Sequence, residues 1–181
     1  PLVSASAIPW APGKPVPEAL TTQQVEQIVA AFASAACRGA AAGFDLVEVH
    51  AAHGYLVNAF LSPGLNERCD QYGGSPAGRA RFAIEIASAI RREIGPDRLL
   101  SFRINGDDLL PNGLGISEYA GIARALAQAG VDLLHVSAGT YRAMVRRIST
   151  IYDAQAPFVD LAAGIKQAVP VPVIASDTIH D

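Results

Sequence analysis

Four times along the chain a helix-type pattern is followed by a short apolar run, and this alternation constrains the fold more than any other feature. Thr21-Thr22-Gln23-Gln24 reads as a capping box: a threonine side chain and a glutamine three residues on satisfy free backbone N–H groups. Val25, Ile28, Val29 and Phe32 follow at helical spacing, and the pattern stops at Gly43. Asp45–His50 reads as the first strand, followed by a glycine-containing loop. Ser75 with Pro76 opens a second helix, since a proline at the first helical position gives up an N–H that has no partner anyway. Its stripe is Phe82, Ile86, Ala89 and Ile90, and Gly95-Pro96 ends it. Leu99–Asn105 is the second strand. Ser117 is expected to cap a third helix carrying Tyr119, Ile122, Ala123 and Leu126, which stops at Gly130. Asp132–Ser137 is the third strand, and a loop from Ala138 to Ala156 leads to a helix from Pro157 and a last strand, Val171–Ala175.

Such alternation means parallel strands joined by right-handed crossovers. One phrase recurs: Ala42-Gly43-Phe44-Asp45-Leu46 returns as Ala129-Gly130-Val131-Asp132-Leu133, each time entering a strand. Repeated units of this kind favour a parallel (β/α)8 barrel over a doubly wound sheet, although pattern alone leaves both open. A whole barrel takes about 250 residues, so 181 residues hold its central portion, about four βα units. The expectation is one partial α/β barrel domain over residues 1–181: an extended loop over 1–20, with prolines at 1, 9, 12, 15 and 17, then alternating elements over 21–181. The chain starts at Pro1 and its one methionine is Met144, so a processed or longer protein is expected.

Composition narrows the function classes. Half the residues are hydrophobic and 17% are charged, enough to build a core and too apolar for a disordered chain. No run of about 18 apolar residues occurs, which excludes a transmembrane helix. With 14 basic and 17 acidic side chains and no Lys/Arg cluster, nucleic acid is not an expected partner. Cys37 and Cys69 are too few for a disulfide framework or a four-ligand metal site. They read as reduced thiols in a cytoplasmic protein, with Cys37 in a helix core, and no signal-peptide pattern precedes them.

In barrels of this kind the chemistry sits at the C-terminal ends of the strands. The first strand runs into His50-Ala51-Ala52-His53-Gly54-Tyr55; the second carries Arg103 and Asn105, the third ends in Ser137 and the fourth in Ser176. If Val47, Val49, Phe102 and Ile104 face the helices, Glu48, His50, Ser101 and Arg103 face the axis. Neither inward charge is tolerable alone, so a Glu48–Arg103 pair is expected. An arginine at a barrel mouth suits a planar anionic or carbonyl-bearing ligand, with a purely structural role as the alternative. Two imidazoles and a phenol within six residues could bind and protonate a carbonyl system. A His–His metal site lacks a third ligand at matching spacing, so no metal is expected, and ordinary loop histidines remain the bland alternative.

From Gly43 to Arg103 the chain resembles the flavin-binding barrel of the Old Yellow Enzyme family (NADH:flavin oxidoreductases), nearest the branch of 2,4-dienoyl-CoA reductase and 2-enoate reductase. The resemblance is carried by Gly43–His50 (GFDLVEVH), Ala51–Leu56 (AAHGYL), Phe60–Pro63 (FLSP), Asn66–Ser75 (NERCDQYGGS) and Arg79–Phe82 (RARF). A weaker match runs from Ser6–Pro9 to Pro172–Ala175. It implies FMN, reduced by NADH or NADPH, and an ene-reductase that passes a hydride to the β-carbon of an activated alkene. By motif position, His50 and His53 would hold the substrate carbonyl or carboxylate and Tyr55 would protonate the α-carbon. Arg103, with His50 beside it, would sit at the flavin, with the guanidinium by its N1/C2-carbonyl edge. Any iron–sulfur cluster would belong to a downstream region of the longer members, and Cys37 and Cys69 do not match its ligands.

Other positions read as structural. Gly73-Gly74 allows a tight turn before the Ser75 cap, and Arg68, Arg79 and Arg81 are expected on loop carbonyls and carboxylates. Tyr141, Arg142, Arg146, Arg147 and Tyr152 in the 138–156 loop could meet a phosphate-bearing acyl-CoA or simply be solvated. His135 is expected in the interior and His180 at an exposed end. The family pattern is departed from at Asp177-Thr178, where Gly-Arg is common, and an aspartate there would repel a phosphate. The competing expectation is an incomplete, non-catalytic half-barrel whose open edges self-associate or pair with another chain.

Overall fold

The structure is a computed structural model that describes residues 1–143, 150 and 154–179. Its centre is a four-stranded parallel sheet of β3 (Leu46–Ala51), β4 (Leu99–Asn105), β5 (Leu133–Ser137) and β6 (Val173–Ala175). The strands lie side by side in chain order. A doubly wound sheet reverses its order part-way; this one keeps adding strands in one direction, so right-handed crossovers put every helix on the same face. The barrel alternative is the one observed.

The crossover helices are α3 (Pro76–Ile94), α4 (Ile116–Gln128) and α5 (Val159–Ala168), and α1 (Thr22–Ala41) leads into β3 beside them. Between strands and helices lies a core with Val49, Leu100, Phe102, Ile104, Leu134 and Val136 from the sheet and Phe82, Ile86, Ile90, Tyr119 and Leu126 from the helices. The stripe expected on α3 is buried throughout; on α4 Tyr119, Ala123 and Leu126 are buried and Ile122 is partly so. The strand bounds differ from expectation only at their ends.

Local chemistry explains the boundaries. The Thr21–Gln24 box forms in both directions, at 3.2 and 2.8 Å, and Ser75 Oγ accepts from the Gly78 N–H at 3.0 Å. The recurring phrase marks a shared device. Gly43 (φ +93°) and Gly130 (φ +97°) each end a helix in the left-handed region that favours glycine. The aspartate two residues later then meets an arginine: Asp45 with Arg98 at 3.2 Å, and Asp132 with Arg91.

Several expectations are corrected. The N-terminal loop contains β1 (Val3–Ser4) paired in parallel with β2 (Glu18–Ala19), too short for any periodicity to reveal. The loop after β3 holds a buried six-residue helix, α2 (Leu56–Leu61), which has no side-chain cap to announce it. α4 starts two residues earlier than expected: Gly115 is its cap residue, its N–H bound by Glu118 Oε2 at 3.3 Å, while Ser117 Oγ donates to the same carboxylate. Cys37 is exposed, because the buried face of α1 is set by Val25, Ala33 and Ala36.

Arg68 in the loop and Arg79 and Arg81 on the first turns of α3 do bind carbonyls: Arg68 those of Ala5 and Leu20, Arg79 those of Leu61 and Gly74, Arg81 that of Gln71. Among the described residues no helix is long and apolar enough to cross a membrane.

Candidate active site

The helix-free face of the sheet carries a row of polar side chains near the strand ends. Register places His50 of β3 opposite Arg103 of β4, and Arg103 opposite His135 of β5. One pleat lower, Glu48 stands opposite Ser101. The expected Glu48–Arg103 pair is not made. Glu48 accepts from Ser101 Oγ at 2.8 Å and lies 3.2 Å from His135 Nδ1. Arg103 is diagonal to Glu48, two residues up its strand, whereas Ser101 is directly opposite and small enough for Glu48 to reach across it. Arg103 Nε is buried and has no hydrogen-bond partner among the described residues. A buried donor of this kind calls for an acceptor from outside the set.

Beyond β3 the chain makes a sharp turn. His53 (φ +65°) and Gly54 (φ +80°) both adopt left-handed backbone, a conformation that costs a non-glycine residue about 1 kcal/mol or more. The turn folds the motif back over the strand ends. The His50 and His53 rings meet edge-on at 5.1 Å between centroids, and the Tyr55 ring meets His50 at 4.9 Å. His53 is 6% exposed and its Nε2 lies 2.8 Å from Ser137 Oγ. The Ala52 N–H donates to His50 Nδ1 at 3.3 Å. A backbone N–H can only donate, so Nδ1 is the accepting nitrogen and a neutral imidazole would carry its proton on Nε2. Tyr55, at the start of α2, is 42% exposed, and its phenol shares a hydrogen bond with that of Tyr141.

Thus His50, His53, Tyr55 and Arg103 come together at one end of the sheet. Among the described residues no group of three or more His, Cys, Asp or Glu could hold a metal ion. Arg142 is engaged by the Pro9 carbonyl at 2.6 Å, tying the loop after β5 to the N-terminal segment. Arg146, Arg147, Tyr152 and His180 lie outside the described residues. His135 is half-buried on the sheet row, its side chain 20% exposed.

A buried layer beneath the site was not foreseen. Asn58 of α2 accepts from the Gly54 N–H at 2.6 Å, and Asn105 accepts from the His53 N–H at 3.2 Å. Both amides, with the Tyr119 phenol, converge on the Asp108 carboxylate. In the sequence Tyr119 is simply one member of an apolar stripe, and Asp108 is one loop aspartate beside another. Only the spacing of Asn105 and Asp108 hints at a local turn.

The family model for the NADH:flavin oxidoreductase / NADH oxidase family matches residues 4–181. An NADH oxidase of Thermoanaerobacter brockii is 41% identical over 165 residues, which is 91% of this chain and 25% of that protein. An NADPH dehydrogenase of Geobacillus thermodenitrificans is 41% identical over 159 residues, 88% of this chain and 46% of that protein. Among solved structures, a 2-naphthoyl-CoA reductase in complex with 2-naphthoyl-CoA superposes with a TM-score of 0.89 at 32% identity, covering 94% of this chain and 26% of the other. This chain therefore spans between 25% and 46% of the length of these two relatives, and its sheet is one section of a (β/α)8 barrel.

Proposed function

Because the chain belongs to the NADH:flavin oxidoreductase / NADH oxidase family, we propose that the protein it forms part of is an FMN-dependent ene-reductase using NADH or NADPH. Its substrate would be a small-molecule activated alkene: an enoate, an enone or a dienoyl-CoA. The observation that supports this most is the grouping of two imidazoles and a phenol beside an arginine whose buried Nε has no partner among the described residues.

Those residues fit a flavin. Arg103 offers a planar, permanently charged set of donors to a carbonyl-bearing ring edge on which negative charge builds. His50 stands opposite it in register, close enough to border the same ring. The turn after β6 is less suited: Asp177 (φ +88°) and Thr178 (φ +34°) bring no cation of their own to a phosphate. Bound FMN supplies the hydride chemistry, carrying two electrons from NADH or NADPH to the β-carbon of the alkene.

The chain's own residues do the rest. His50 and His53 donate to the substrate's carbonyl or carboxylate oxygen, which polarises the double bond and stabilises the enolate-like charge that develops on it. Tyr55 gives its proton to the α-carbon and is reprotonated by water, to which it is open. The net reaction consumes one alkene, one NAD(P)H and one proton, and yields the saturated product and NAD(P)+.

The test is Tyr55→Phe in the full-length, FMN-loaded protein with 2-cyclohexenone and an enoyl-CoA. Turnover should fall by about 10²–10⁴, the usual share of a positioned general acid, while flavin reduction by NADPH keeps its rate. Undiminished turnover overturns the role of Tyr55. Absence of alkene reduction by the wild type overturns the ene-reductase assignment.

A further inference from the structure

We propose that Asp108 is a positioning residue for His53 and Tyr55, acting through Asn58 and Asn105. The inference rests on the ene-reductase reading for its effect on turnover, but its structural content does not.

The turn that carries the two residues is conformationally expensive. His53 and Gly54 are consecutive left-handed residues, and only Gly54 is suited to that backbone. Such a turn persists where its surroundings over-determine it. Two of the constraints here are N–H groups: that of His53 donates to Asn105 Oδ1 and that of Gly54 to Asn58 Oδ1, beside a parallel backbone bridge between His53 and Thr140.

The two asparagines can serve only in one orientation. Each must turn its oxygen to a backbone N–H, which cannot accept, so each turns its NH2 group the opposite way. Both NH2 groups then need an acceptor in a place shut off from water: Asn58, Asn105 and Asp108 are 0% exposed. Asp108 Oδ1 is that acceptor for Asn105 Nδ2, at 3.0 Å; Asn58 Nδ2 lies 3.4 Å from the same oxygen and reaches it also through the Tyr119 hydroxyl. The remaining contacts are donors as well. Tyr119 Oη donates to Oδ1 at 2.6 Å while accepting from Asn58 Nδ2 at 2.7 Å, and the Leu114 N–H donates to Oδ2 at 3.0 Å. Burial, and then the Asp108 carboxylate, push the Tyr119 phenol well above its ordinary value, which keeps it a donor.

A carboxylate is the side chain that only accepts. An asparagine at 108 would set an NH2 group against another donor on one side or the other, and flipping Asn58 or Asn105 to relieve it would release an N–H of the turn. Asp108 therefore reaches the site without touching substrate or flavin. It fixes two amide orientations, which fix two backbone N–H groups, which hold His53 in place and set where α2 begins with Tyr55.

The experiment is Asp108→Asn in the full-length, FMN-loaded protein, read by amide hydrogen exchange and by turnover of 2-cyclohexenone with NADPH. Exchange at His53 and Gly54 should quicken by about tenfold or more. Exchange at Phe102 and Ile104 in β4 should be unchanged, and kcat should fall by about tenfold with flavin reduction by NADPH unaltered. Tyr119→Phe leaves three donors on Asp108 but takes from Asn58 its nearer acceptor, so exchange at His53 should change by less than about threefold while exchange at Gly54 quickens more.

Unchanged exchange at His53 and Gly54 in Asp108→Asn overturns the proposal, as does quickened exchange with undiminished kcat. If that variant does not fold, Asn58→Ala decides the matter: it severs the Gly54 arm alone, and must quicken Gly54 exchange and lower kcat. The hydrogen-exchange result stands apart from the chemistry. A wild type that reduces no alkene would overturn the ene-reductase assignment while leaving the exchange prediction to be judged by itself.

Discussion

Ser137 Oγ lies 2.8 Å from His53 Nε2, so the last residue of β5 fixes an imidazole that the chain delivers from beyond β3. Both residues are buried, at 4% and 6% exposure. The contact joins the ends of two strands that are not neighbours in the sheet. It clamps the His53 side chain from β5.

Ser137→Ala removes that clamp and little else. The expected result is a fall in kcat/KM of about fivefold to tenfold, corresponding to the net worth of a single hydrogen bond, about 1 kcal/mol. Steady-state kinetics of the full-length protein with an enone provide the check, alongside a thermal melt that should move little.

Arg91 is the rivet at the opposite end of the sheet. Its guanidinium donates to the carbonyls of Gly95, Arg98 and Gly130 and pairs with Asp132. Arg91→Ala leaves these carbonyls without their donor, and a loss of about 2–3 kcal/mol in folding stability is expected. Urea unfolding should show a lower midpoint with an unchanged slope.

The two adjacent glycines before α3 should respond differently to alanine. A Cβ at Gly73 would lie 2.2 Å from the Arg68 carbonyl oxygen and 2.5 Å from Arg68 Cβ, and Arg68 is anchored on Ala5 and Leu20. Gly74 has open space around its Cβ position but a φ of +69°. Gly73→Ala should therefore cost about 2–3 kcal/mol through overpacking, and Gly74→Ala about 1 kcal/mol through its backbone. Parallel melts of the two variants compare them directly.

Asp70 gives a small acid limb to stability. Its hydrogen bond from Arg68 holds the carboxyl below the ordinary aspartate value of 3.8, with the Tyr72 N–H adding to the effect. A depressed native pKa contributes stability that is present above the unfolded value. That contribution disappears as pH falls below about 3.8 and through the native pKa. The pair is partly open to water, so the effect is modest. Asp70→Asn should lower the melting temperature slightly at pH 6, by a difference that shrinks as pH falls below about 3.8, as a series of melts would show.

Most of the architecture was legible because its signals are local. Thr21 with Gln24, Ser75 with Pro76, and Gly43 and Gly130 each act within one helical turn, and each marks the boundary it was expected to mark. α2 was not legible: six residues without a cap, buried on nearly every side, have no periodicity to read. Gly115 has nothing in the sequence to set it above Ser117, because a glycine cap has no side chain to identify it. Of the site, His50, His53, Tyr55 and Arg103 could be named because they sit at strand ends, where barrels do their chemistry.

By itself the sequence determined the four strands of the central sheet and the four longer helices, where those helices stop, and which reactive side chains lie at the mouths of the strands. All of that follows from hydrogen bonds and side-chain periodicity over a few residues. The tertiary structure alone decided partners. Glu48 went to Ser101 and His135 and not to Arg103, because strand register sets which side chains stand opposite and which stand diagonal. Asp108 became the hub beneath the His53–Gly54 turn because α2, β4 and α4 meet there and exclude water. In so enclosed a place every donor must find an acceptor, a requirement that exists only once distant segments have packed.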